Sequence, residues 1–255
     1  MDKRAIPCRH LFWFLVLLFA IPQVQAVEAR LAWDRIVTLS VPVKGVITRL
    51  NVRPGERVPA GRLLVQLDQR PFQARVEALQ ARLREREAVL AEARRELARA
   101  EELYERTVLS EHELQLKKND VITAEARHAQ VRAELVRARL DLEYSTLRAP
   151  FDARILARLA GVGQTVVADM RPTPVIRLAA ADSLRVEARL APGEAARLRL
   201  GQRLPVRVGN ERLEGEIVAI TAPEGETGER YRVALRIVVG DRPWLAGQRA
   251  EFDLP

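Results

Sequence analysis

His112, His128, the acid pair Glu101-Glu102, Met170 and Cys8 are the residues whose types could ligate a metal, move a proton or form a disulfide. The two histidines lie in one stretch of helical periodicity, 16 residues apart. At about 100° per residue they stand roughly 160° apart around the axis, too far to share a metal ion. His128 also falls on an apolar heptad seam, where a polar residue that sets register is the simpler expectation. Glu101 and Glu102 belong to a charged helical surface, where nothing desolvates a carboxyl for acid–base work. Met170 is the one methionine after Met1, which excludes a methionine-rich copper site. Cys8 lies ahead of the first apolar run, the wrong side for a lipid-modified cysteine, and no other cysteine follows. No catalytic site, metal or cofactor is expected, and the chain is not expected to be an enzyme.

The elements that surround these residues begin with a leader. Lys3 and Arg4 precede the apolar run Leu11 to Ile21, and Val24-Gln25-Ala26 supplies the small residues of a cleavage site. Residues 1–26 therefore read as a secretory signal removed after Ala26. The apolar run of 11 residues is too short to cross about 30 Å of hydrocarbon. A soluble chain in an oxidising compartment, with no disulfide to make, is expected. The net charge of +8 raises the question of nucleic acid. Divided along the chain it is +6 over residues 1–70, −1 over 71–146, +2 over 147–182 and +1 over 183–255, so no strong basic patch follows the start. Few aromatics remain for base stacking, and nucleic-acid binding is not expected.

The strongest internal signal is a repeat. "VPVKGVITRLNVRPGERVPAGRLLVQLD", Val41 to Asp68, matches "STLRAPFDARILARLAGVGQTVV", Ser145 to Val167, at an offset of 108 residues. Pro42 aligns with Pro150, Ile47 with Ile155, Gly55 with Gly163 and Val58 with Val166. A three-residue insertion near Met170-Arg171-Pro172 then brings Val65 and Leu67 onto Ile176 and Leu178. Apolar alternation broken by glycine predicts short paired strands and tight turns, and two such halves make one quasi-symmetric β sandwich.

Between the halves the period changes from two to seven. Val76, Leu83, Leu90, Leu97 and Tyr104 form one series, with Phe72, Leu79, Ala93 and Ala100 beside it and Arg86 as its exception. Leu114, Val121, His128, Leu135 and Leu142, with Ala124, Val131 and Ala138, form the return seam. Two heptad helices predict a coiled-coil hairpin reaching about 54 Å. Glu92/Arg95 and Glu96/Arg99 are expected as surface ion pairs. In the turn "TVLSEHE", Ser110 followed by Glu113 is a capping box that starts the second helix.

With this organisation the chain resembles the periplasmic adaptor proteins, or membrane fusion proteins, of tripartite efflux pumps and type I secretion systems (HlyD-like). In that family a lipoyl domain is split by a coiled-coil hairpin and followed by a β barrel. The last stretch, with Leu200-Gly201-Gln202, Gly215-Glu216-Ile217-Val218 before Pro223, and Leu245-Ala246-Gly247-Gln248, looks like that barrel. The expected architecture is α+β: a split lipoyl-like sandwich, a hairpin and a small barrel. Its bounds are a signal peptide at 1–26, an N-terminal segment at 27–40, sandwich halves at 41–69 and 147–182, the hairpin at 70–146 and the barrel at 183–255. The family's membrane-proximal domain is expected to be absent.

The resemblance implies an adaptor in the periplasm, associated with the inner membrane through its partner, doing no bond chemistry. Its partners would be an inner-membrane transporter, with the resistance-nodulation-division (RND) class favoured, an outer-membrane channel, and further copies of itself in a ring. An ABC-type or haemolysin-type secretion adaptor is the alternative within the family, and an envelope coiled-coil or carrier protein the alternative outside it. The family's hairpin tip meets the channel through an Arg, a Leu, a Ser and an Asp. Arg99, Leu103 and Ser110 match the first three, whereas the acid position falls on Gln115. Trp244, with the loops Ala222 to Arg230 and Gly240 to Trp244, is a candidate transporter contact, weighed against a place in the barrel's own core. True lipoyl or biotinyl carriers modify a lysine between the two halves. Here that position opens into "LDQRPF", and no lysine lies between Lys44 and Lys117.

Overall fold

The computed structural model describes residues 26–168, 171–222, 230–240 and 242–255. The signal-peptide expectation therefore lies outside the described residues, apart from Ala26. The strands are β1 (Ala26–Trp33), β2 (Val37–Ser40), β3 (Gly45–Leu50), β4 (Arg57–Val58), β5 (Leu63–Leu67), β6 (Thr146–Arg148), β7 (Ala153–Arg158), β8 (Thr165–Val166), β9 (Pro174–Ala180), β10 (Ser183–Leu190), β11 (Arg203–Val208), β12 (Glu211–Thr221), β13 (Tyr231–Val238) and β14 (Arg249–Asp253). The helices are α1 (Arg70–Glu105), α2 (Glu111–Tyr144) and α3 (Pro192–Ala195). They sort into two units, one of Trp33–Ser183 and one of the chain up to Ala32 with Leu184–Pro255. Among the described residues no helix is long and apolar enough to cross a membrane.

In the first unit two four-stranded sheets, β2-β9-β7-β4 and β6-β5-β3-β8, face each other. The sheet β6-β5-β3-β8 takes its central strands from the first half of the repeat and its edges from the second, and β2-β9-β7-β4 takes its central strands from the second half, with β4 of the first at one edge and β2, from just ahead of it, at the other. The exchange recurs at the 108-residue offset. Gly45 and Val46 pair with Val166 and Thr165, and Ala153 and Arg154 pair with Val58 and Arg57. The Gly163 N–H donates to the Ile47 carbonyl at 2.8 Å, and the Gly55 N–H to the Ile155 carbonyl at 2.7 Å. Both glycines have φ of +86°, a left-handed conformation that a side chain would strain. Ile47, Val58, Leu67, Ile155, Val166, Ile176 and Leu178 fill the space between the sheets, fully buried.

The hairpin grows from this sandwich on arms of 36 and 34 residues, about 54 and 51 Å long. Pro71 sits in the first turn of α1, where its missing N–H costs no hydrogen bond. At the root, the Gln69 amide donates to Ser145 Oγ at 3.0 Å, and Ser145 Oγ donates to the Leu142 carbonyl. Val76, Leu90 and Ala100 of α1 meet Leu114, Val121, Ala124, Val131, Leu135 and Ala138 of α2 in a buried seam on the expected heptad positions. Tyr104, the last of the α1 series, stands one residue before the end of α1 and is 42% exposed. His128 is half-buried with Nε2 3.8 Å from Glu87 Oε1 on the other arm. Arg82–Glu134 and Arg94–Glu125 also bridge the arms, and Glu92–Arg95 and Glu96–Arg99 pair along α1.

The second unit is a closed barrel in the order β1-β10-β13-β12-β11-β14. Alternating Leu204, Val206 and Val208 point inward from β11, against Leu184, Val186, Leu235, Ile237 and Phe252. Gly215 of β12 is required where strands crowd, since a Cβ there would lie 2.7 Å from Val206 Cγ2. The stretch 27–40, read from the sequence as a segment outside the modules, is divided between two of them. β1 closes the barrel by pairing Ala26 to Arg30 with Asp253 to Arg249, and β2 joins the sandwich edge against β9. Closure explains this placement: without β1, both β10 and β14 would present an unpaired edge.

Candidate functional site

The hairpin tip is built by two opposed end structures. α1 closes with the Val108 N–H donating to the Leu103 carbonyl at 3.0 Å and the Thr107 N–H to the Tyr104 carbonyl at 2.9 Å, an arrangement that turns the chain through a left-handed residue. That residue is Thr107, with φ of +61°, a conformation costly for a β-branched side chain. α2 then starts at the capping box. Ser110 Oγ accepts from the Glu113 N–H at 3.3 Å, while Glu113 Oε2 accepts from the Ser110 N–H at 3.0 Å and from Ser110 Oγ at 2.7 Å. These bonds, the hydroxyl first and the backbone second, hold the Glu113 carboxyl below its ordinary range.

Behind the turn a cavity of about 460 Å³ opens between the two arms. Arg99 and Leu103 line it, with Leu109 and Leu116 adding apolar wall and Glu113 and Asp120 adding acid. Arg99 Nη1 is 2.6 Å from Glu96 Oε1, and Lys117 Nζ is 3.9 Å from Asp120 Oδ2. Leu103, Tyr104, Val108 and Leu116 are exposed, so the tip presents apolar surface. The structure thus brings Arg99 and Leu103 to one cavity and places Ser110 in the cap at its mouth. Gln115, where the sequence reading put the acid position, instead donates to Asn119 at 3.1 Å. Asp120 is a further acid of the cavity wall that the sequence reading did not single out, since it stands on the opposite arm from Arg99.

Trp244, the second candidate, is half-buried. The Arg242 guanidinium lies 5.3 Å from its ring centroid and is itself held by Glu211 Oε2 at 2.7 Å. Part of the ring is thereby covered by a cation. Of the two loops proposed beside it, residues 223–229 and 241 lie outside the described residues. In the stretch "LDQRPF" at the root of the hairpin, the Asp68 carboxyl is held below its ordinary range by the Arg70 side chain. Among the described residues, no three His, Cys, Asp or Glu side chains come together as a metal site.

The chain as a whole is similar to known proteins. Residues 35–178 match the model of the RND MFP barrel-sandwich hybrid domain. The multidrug resistance protein MdtA of Pectobacterium carotovorum is 34% identical over 130 residues, 51% of this chain and 32% of that protein. MdtA of Yersinia pestis is 30% identical over 140 residues, 55% of this chain and 31% of that protein. The matched stretch thus spans about a third of the length of these relatives. Among solved structures, the membrane fusion protein Spr0693 of Streptococcus pneumoniae superposes with a TM-score of 0.71 at 15% identity, over 91% of this chain and 98% of that one. A MacA-MexA chimera carrying the Pseudomonas aeruginosa MexA α-hairpin superposes with a TM-score of 0.65 at 19% identity, over 90% of this chain and 80% of that one. Because the family match covers the sandwich, the inserted hairpin and the return strands together, this chain belongs to the RND membrane fusion protein family of efflux adaptors.

Proposed function

We propose that the chain works in the periplasm as an adaptor between an inner-membrane RND transporter and an outer-membrane channel, with several copies forming a ring around the export path. The observation that carries this reading is the sandwich split by a long hairpin whose tip presents Arg99, Leu103 and exposed apolar surface. The role is geometric. The interlocked halves fix the root of the hairpin, the heptad seam keeps its arms straight, and the capped turn gives the tip one shape to present to the channel. The half-buried Trp244 edge is the surface proposed for the transporter, since aromatic side chains are enriched at interface centres. The name of the MdtA relatives, multidrug resistance protein, fits a small-molecule export role for this chain as well.

The test is site-specific photocrosslinking in cells from Leu103 and from Trp244, with mass-spectrometric identification of the captured proteins. An outer-membrane channel captured from Leu103 and an RND transporter captured from Trp244 are the expected results. Capture of an ABC transporter would move the chain to the alternative secretion role, and capture of neither membrane protein would overturn the adaptor reading.

A further inference from the structure

The adaptor role leaves a trough on the barrel unexplained. It has a volume of about 640 Å³ and is walled by one arginine from each of four consecutive strands: Arg232 of β13, Arg189 of β10, Arg30 of β1 and Arg249 of β14. All four are exposed, whereas Ala29, Ala188 and Ala250 lie buried at its floor. At about 4.8 Å from strand to strand, the four arginines are spread over roughly 14 Å.

Charge is arranged here against the barrel's own stability. Arg30 stands directly opposite Arg249, and Glu28 directly opposite Glu251. Like charges opposite one another on an antiparallel pair are destabilising. Elsewhere on the barrel arginines find acids: Arg207 bonds to Glu251, Arg242 lies 2.7 Å from Glu211 and Arg203 3.8 Å from Glu214. Among the described residues none of the four trough arginines has an ion-pair partner, although Glu28 and Glu187 line the same trough. With Glu251 tied to Arg207, four cations face two acids, and an anion lying between the guanidiniums would remove the repulsion.

We infer that this trough is a binding site for a phosphate-bearing ligand, with Arg30 and Arg249 gripping one phosphate from two sides. A planar carboxylate is matched by a single arginine fork, whereas a tetrahedral phosphate offers oxygens in several directions and takes a fork from each side. The trough is wider than one phosphate, so Arg189 and Arg232 fit a second anionic group on the same ligand. Glu28 and Glu187 stand among the arginines as acceptors for hydroxyl groups on the segment that joins the two. The ligand class is therefore two phosphates linked through hydroxyl-bearing carbons, a chemistry shared by soluble sugar bisphosphates and by the headgroup of a two-phosphate lipid. The site lies wholly within the barrel, and its ligand does not depend on the adaptor's partners.

The test titrates the full chain with fructose 1,6-bisphosphate by calorimetry and, in parallel, with vesicles containing cardiolipin, using sodium chloride of equal ionic strength and phosphatidylcholine vesicles as the blanks. At least one probe should bind saturably and raise the melting temperature beyond its blank. Arg30→Gln combined with Arg249→Gln should weaken that binding at least tenfold, while Arg212→Gln, an exposed arginine outside the trough, should leave it unchanged. Without ligand the double variant should melt no lower than the wild type, because the substitution removes a like-charge pair. Arginines with a merely structural role would give the opposite result, a lower melting temperature with the ligand-induced rise intact. Binding of the bisphosphate in solution assigns a soluble source, and binding of cardiolipin vesicles alone assigns a lipid source; either supports the site. If neither probe binds beyond its blank, if binding survives in the double variant, or if Arg212→Gln weakens it as much, the trough is not the site and the inference fails.

Discussion

The sandwich and the hairpin are continuous in the chain, yet they are held together in opposite ways. In the sandwich Ile47, Val58, Ile155 and Val166 lie between two sheets, and the halves are locked by backbone bonds such as Gly163 to Ile47 across more than a hundred residues. In the hairpin each helix has one neighbour. Val76, Leu90 and Val121 therefore stay at the edge of solvent, and the rest of the surface is carried by ion pairs and caps. Exposed ion pairs contribute little each, so the hairpin depends on its seam and on local end structures. The difference teaches where change is tolerated: the hairpin can vary its outer faces for partners, whereas the sandwich cannot vary its interior.

The largest expected effect tests the sandwich. Ile155→Ala should cost about 2–5 kcal/mol in urea unfolding, and its repeat mate Ile47→Ala should cost a similar amount. Leu90→Ala in the hairpin should fall at or below about 2 kcal/mol, because its site borders solvent and relaxes more easily. A Leu90→Ala loss as large as that of Ile155→Ala would erase the contrast. Next, Gly55→Ala and Gly163→Ala should each lose about 1–2 kcal/mol, since both adopt the left-handed backbone at equivalent turns. Markedly unequal losses at the two glycines would show that the repeat is geometric but not energetic.

Smaller effects belong to the tip. Ser110→Ala should cost about 1 kcal/mol, seen as faster amide exchange over the first turn of α2 with the sandwich amides unchanged. Thr107→Gly should act in the opposite direction, stabilising the turn by up to about 1 kcal/mol through relief of its left-handed backbone. The smallest is a pH effect. The Glu113 carboxyl is depressed in the folded chain, so its contribution to the cap is present above the ordinary glutamate value of 4.5 and is lost as pH falls through the lower folded value. An NMR titration of the Glu113 carboxyl with amide exchange at the same turn should show protection falling only on the acid side. Protection that falls instead toward alkaline pH, after correction for intrinsic exchange, would contradict the capping account.

Much of this was legible before any coordinates, and the legible features share a cause. The Ser110–Glu113 box, the heptads through Leu90 and Val121, and the ion pairs Glu92–Arg95 and Glu96–Arg99 all join residues a few positions apart, where helix geometry alone decides the neighbour. The repeat was legible because Gly55 and Gly163 each mark a turn that admits little else. The cavity acid Asp120 was not legible as a neighbour of Arg99, because it reaches the cavity from the opposite arm and depends on how the two helices are registered.

The sequence by itself determined the periodicities, the caps, the turns and hence the order of sandwich half, hairpin and sandwich half. Only the tertiary structure decided that the halves exchange their edge strands, that β1 leaves its sequence neighbours to close the barrel, and that the Arg242 guanidinium lies over the Trp244 ring. The reason is physical. A strand meets none of its ladder hydrogen bonds within itself, and which distant segment meets them is settled by closure and packing of the whole, whereas a helix meets its own within four residues.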